Sequence, residues 1–69
     1  MEVIKDCQSH VVCFVDAKTG LLESKYKKQI TRMVIPIGSE ITIIRDETQT
    51  VIKRISEFAF EVLSSLAAA

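Results

Sequence analysis

The chain has no tryptophan, one tyrosine, one proline, one histidine, two glycines and two cysteines. Each shortage excludes something. Two glycines leave no material for the glycine-rich backbone cradle that holds phosphate, once turns have claimed them. Two cysteines cannot build the disulfide framework of a small secreted domain. A single histidine cannot form a multi-histidine metal site. As a general base it would need a nucleophile within hydrogen-bond reach, and Ser9, its chain neighbour, points the other way along a strand. Basic and acidic residues number nine each, so no net charge draws the chain to nucleic acid or to an anionic membrane. No run of about 18 apolar residues predicts a membrane-spanning helix. The opening residues MEVIKDCQSH lack the basic and then apolar regions of an export signal, and reduced thiols in a cytoplasm are the expectation.

What is present is apolar. Hydrophobic residues make up 48% of the 69-residue chain, enough for a core, although a chain this short struggles to shelter one alone. One domain is expected over residues 1–66. Ala67, Ala68 and Ala69 read as a tail added by cloning.

The first two thirds of the sequence read as strands. His10–Asp16 is β-branched and apolar on both faces, as in a central strand. Asp16 and Gly20 supply turn chemistry. The more polar Leu21–Lys27 is expected at a sheet edge, where lysines discourage unwanted pairing. Ile30–Ile37 and Glu40–Arg45 are expected to form a second hairpin around Gly38 and Ser39, with a weaker strand at Val3–Cys7.

The last third carries apolar residues at 51, 52, 55, 58, 59, 62, 63 and 66, the three-and-four spacing of a helix face. Asp46 and Gln49 resemble a capping box. A helix is therefore expected from about Glu47 to Leu66, with Phe58 on its buried side and Phe60 alone misplaced. A strand over Ser56–Val62, with Phe58, Phe60 and Val62 inward, would place Phe60 well but breaks the longer pattern. The predicted fold is α+β: an antiparallel meander of four to five strands followed by one long C-terminal amphipathic helix.

Such a fold would be unfinished. Met33, Ile35 and Ile37 would line one face of the second hairpin, and Ile30 and Val34 the other. One helix covers one sheet face, so Met33, Ile35 and Ile37 are expected at an oligomer interface, most simply a homodimer.

Two constellations invite chemistry. Cys7, His10 and Cys13 share a three-residue interval with Asp16, but alternation along a strand would turn His10 away from the thiols, and no second ligand pair exists. Neither metal nor cofactor is expected. Lys25, Tyr26, Lys27, Lys28 and Arg32 form a basic strip without an acid, able to meet phosphates and to stack a base on Tyr26. Alternation splits that strip between two faces. The leading expectation is a small non-catalytic, homo-oligomeric interaction or regulatory protein of microbial or phage type, binding itself or another protein. Nucleic-acid binding through the strip is the alternative.

Overall fold

A computed structural model describes residues 1–45 and 47–66 of the chain. The described residues form seven antiparallel strands and no helix: β1 (Glu2–Lys5), β2 (Val11–Asp16), β3 (Leu21–Tyr26), β4 (Gln29–Val34), β5 (Glu40–Arg45), β6 (Thr48–Arg54) and β7 (Phe60–Leu66). The first four make one sheet in the order β1-β2-β3-β4, and the last three make a second, β5-β6-β7. The fold is all-β, and the α+β expectation is wrong. Asp46, the expected helix cap, and the 67–69 tail lie outside the described residues.

The helical spacing in the last third arises from a hairpin. Thr48-Gln49-Thr50-Val51-Ile52 is rich in β-branched residues, which suit a pleated surface better than a helix. Its alternate members Thr48, Thr50, Ile52 and Arg54 are all buried, and the intervening residues are not. Across the turn, Ile52 pairs with Val62 and Arg54 with Phe60. Phe60, the misfit on a helix, thus packs against the core, whereas Phe58 sits in the turn at 83% exposure. The apparent helix face was the two faces of two strands joined by an apolar loop.

Two further expectations change. Ile30–Ile37 and Glu40–Arg45 are not a hairpin. The chain leaves β4 at Val34, crosses through residues 35–39 and enters the other sheet as β5. Pro36, which lacks an N–H, suits this crossing. β3 is also not an edge strand, since it pairs with β2 and β4; β1 and β4 are the edges of its sheet.

The two sheets pack face to face. Ile4, Val12, Cys13, Val15 and Leu22 enter from the first sheet, Ile52 from the second and Ile35 from the crossing. Adjacent Val12 and Cys13 can both be buried because the β1–β2 register slips at this point, Ile4 opposing Cys13 and Lys5 opposing Val11. A bulge of this kind turns two successive side chains out of strict alternation.

Two arginines on the inner face of the second sheet fasten it to the first. Arg54 donates from Nη1 to the Ile35 carbonyl at 3.0 Å and from Nη2 to the Ala17 carbonyl at 3.1 Å. At the other end Arg45 donates from Nη2 to the Val12 carbonyl at 3.1 Å and to Ser24 Oγ at 2.6 Å. Both occupy alternate positions that otherwise hold Ile41, Ile43, Thr50 and Ile52. Among the described residues neither is held in an ion pair.

Candidate functional site

The basic strip is divided by the fold. Lys25 and Arg32 lie on the outer face of the first sheet, where both meet Glu23, at 3.8 Å and 2.8 Å. Tyr26 lies on the inner side, and Lys27 and Lys28 form the two-residue turn to Gln29. The Arg45 guanidinium stacks 4.5 Å from the centre of the Tyr26 ring, and Lys27 Nζ lies 5.5 Å from it. The structure therefore gathers Tyr26, Lys27 and Lys28 with Arg45, and separates them from Lys25 and Arg32.

A cleft of about 440 Å³ opens beside this cluster, lined by Asp6, Gln8, His10, Val11, Tyr26, Arg45 and Glu47. It exists because β2 and β3 pair only over Phe14–Asp16 and splay beyond it, leaving the Val12 carbonyl to Ser24 and Arg45. Two charged groups on its wall, Asp6 and Arg45, already serve the fold. Asp6 Oδ1 accepts the backbone N–H groups of Gln8 and His10, each at 2.9 Å. Its Oδ2 accepts the Thr48 hydroxyl at 3.2 Å and lies 3.7 Å from His10 Nδ1. The N–H of His10 is the main cause holding the Asp6 carboxyl below its ordinary range; partial burial opposes it, and Gln8, Thr48 and the His10 ring add to it. Asp6 staples its own loop to the second sheet. The Cys7 N–H continues that staple onto Ser64 Oγ at 3.0 Å.

Cys7, His10 and Cys13 do not converge. Cys7 is exposed in the β1–β2 loop and Cys13 is buried in the core. Burial pushes the Cys13 thiol up to about 11 against the pull of Arg45, so it stays a neutral thiol near pH 7 and behaves as a small apolar side chain. Among the described residues no group of three or more His, Cys, Asp or Glu side chains is placed to hold a metal ion.

The expected interface residues also part company. Ile35 is 2% exposed and belongs to the core, so it has no side chain to offer a partner. Met33 and Ile37 are exposed. Around Met33 lies the least finished part of the molecule. All six residues of β4 are exposed, and its open flank borders a groove of about 330 Å³ between the sheets, floored by Leu22, Ile41 and Ile43. Sequence reasoning named Met33 here but missed Ile30 and Val34 as surface groups. Their signal was the run Gln29–Val34 itself, a strand with apolar residues on both faces and neither proline nor acid to guard it.

Among the described residues no helix is long and apolar enough to cross a membrane. No protein-family model, no curated protein and no solved structure matches the chain.

Proposed function

We propose that this chain is a small interaction module, without catalysis, that works by associating with itself. One observation carries the reading: more large apolar side chains lie outside than inside. The buried apolar core is Ile4, Val12, Cys13, Val15, Leu22, Ile35 and Ile52, whereas Ile30, Met33, Val34, Ile37, Ile44, Phe58, Leu63 and Leu66 are among the larger set left exposed. Isolated apolar groups on a surface are ordinary. Here all three of Ile30, Met33 and Val34 belong to one edge strand, Ile30 and Val34 on its outer face and Met33 on its inner face, and apolar exposure concentrated in that way marks interaction surfaces. A role in the cytoplasm fits two free thiols, one of them exposed. Light scattering across a range from micromolar to near-millimolar concentration tests the proposal. Self-association gives a mass that rises above 7.7 kDa; a mass fixed at that value throughout the range removes the reading.

Nucleic-acid binding is the second reading, favoured by Tyr26 beside Lys27, Lys28 and Arg45. Its weakness is that Glu23 sits between Lys25 and Arg32 and offsets their attraction for phosphate. Retention on single-stranded DNA or RNA that weakens steeply with salt would support it. Unretarded migration at low salt would remove it.

A further inference from the structure

We infer that β4 pairs with β4 of a second copy, antiparallel about a two-fold axis passing beside Arg32, so that the two four-stranded sheets become one of eight. The inference rests on the self-association proposed above and specifies its geometry.

The hydrogen-bonding pattern of β4 selects which groups are free. Its partner β3 is reached through a two-residue turn, Tyr26 pairing with Gln29. The residues flanking such a turn exchange both of their N–H···O bonds, and the same pattern recurs at every second pair. Thr31 and Met33 thus turn their backbone groups toward Ser24 and Leu22. The Ile35 N–H, which donates to the Gly20 carbonyl at 2.9 Å, continues the series. Ile30, Arg32 and Val34 consequently present their N–H and C=O groups to the open edge.

Three outward residues at equal spacing form a self-complementary ladder. With Arg32 opposite its own copy, Ile30 of each chain falls opposite Val34 of the other. Both pairs exchange hydrogen bonds, and both place apolar side chains together on the outer face. Shifting the register by one pair in either direction puts Arg32 against Ile30 or Val34 instead. The central arginines do not meet as bare cations, because Glu23 holds each from within its own chain at 2.8 Å. On the inner face Met33 of one copy joins Thr31 of the other over the groove above Leu22, Ile41 and Ile43.

The other edges suit this less well. β1 has four residues and a slipped register. β5 turns alternate residues Ile41 and Ile43 into the core and leaves them only partly exposed. β7 has its inner side bonded by the β1–β2 loop, through Cys7 and Ser64.

Disulfide trapping in a Cys7→Ser background tests the register. Opposed residues of a hydrogen-bonded pair have Cα atoms about 5.5 Å apart, within disulfide reach. Arg32→Cys is expected to cross-link to itself on mild oxidation. Ile30→Cys and Val34→Cys, each offset from its own copy by four residues or about 13 Å, are expected to stay uncross-linked alone and to cross-link when mixed. Ile30→Lys, at an exposed position, is expected to retain the circular-dichroism spectrum and weaken the dimer at least tenfold. A dimeric mass with no cross-link at Arg32, or with Ile30→Lys unimpaired, overturns this pairing and leaves self-association standing. A monomeric mass at all concentrations overturns both.

Discussion

Arg54 is 7% exposed, and an arginine buried that deeply normally has a carboxylate beside it. Here backbone carbonyls take that part: Nη1 and Nη2 are bonded to Ile35 and Ala17, and Nε has no partner among the described residues. Space for the guanidinium depends on Gly20. A Cβ there would press on Arg54 itself and stand 2.7 Å from the Ile35 carbonyl oxygen, and Gly20 also holds φ at +78°. Gly38 shares the left-handed backbone, at φ +89°, but faces open space. Urea denaturation should separate the two causes. Gly38→Ala is expected to cost about 1–2 kcal/mol from backbone conformation alone. Gly20→Ala is expected to cost clearly more, and equal losses would show that Arg54 is not packed against it. Asp6 gives a second residue-scale test. Its carboxyl is held below the usual value in the folded chain, chiefly by the His10 N–H, so it binds its proton more readily when unfolded. Its stabilisation is therefore fully present above about pH 4 and is lost as pH falls through the lowered folded value. Asp6→Asn is expected to be less stable than the parent at pH 6, with the gap narrowing as pH falls below about 4; a gap independent of pH would contradict that role.

At the scale of elements, the sequence was readable where polar turn residues punctuated it. Asp16 and Gly20 marked the β2–β3 turn, and the Gly20 N–H closes it onto the Asp16 carbonyl at 2.8 Å. β5 begins and ends where expected, at Glu40 and Arg45. At the β6–β7 turn the reading failed. Ile55-Ser56-Glu57-Phe58-Ala59 has neither glycine nor proline, and its Ile55, Phe58 and Ala59 extended the apolar spacing of β6 and β7 into an apparent helix. What closes the turn is side-chain and backbone chemistry hidden from periodicity: Ser56 Oγ accepts the Phe58 N–H at 3.1 Å, and the Ala59 carbonyl accepts the N–H of Ile55 at 3.2 Å. The two phenylalanines distinguish the hairpin from a helix. Phe60→Ala should cost on the order of 3 kcal/mol as packing against the core is lost. Phe58→Ala, fully outside, should change stability by less than about 0.5 kcal/mol. The reverse order in thermal or chemical denaturation would restore the helix.

At the scale of the whole molecule, the excess of apolar surface was legible and its cause was not. Alternation showed apolar residues on both faces of the strands from Val11 to Ile44. It did not show that the cover would be a second sheet, or that Ile35 would leave β4 and enter the core. Nor did it separate β4 from β5, because Gly38 and Ser39 resemble a hairpin turn as much as a crossing. The basic strip was legible as charge, while its division by Glu23 required the pairing of β3 with β4. Only the finished register isolates Ile30, Arg32 and Val34 as the open rungs of β4. Amide hydrogen exchange along β4, followed residue by residue at high concentration, addresses that point most directly. Pairing between copies predicts slow exchange at Ile30, Arg32 and Val34 that is lost on dilution, beside protection at Thr31 and Met33 that persists. Fast exchange at the first three at every concentration would contradict it.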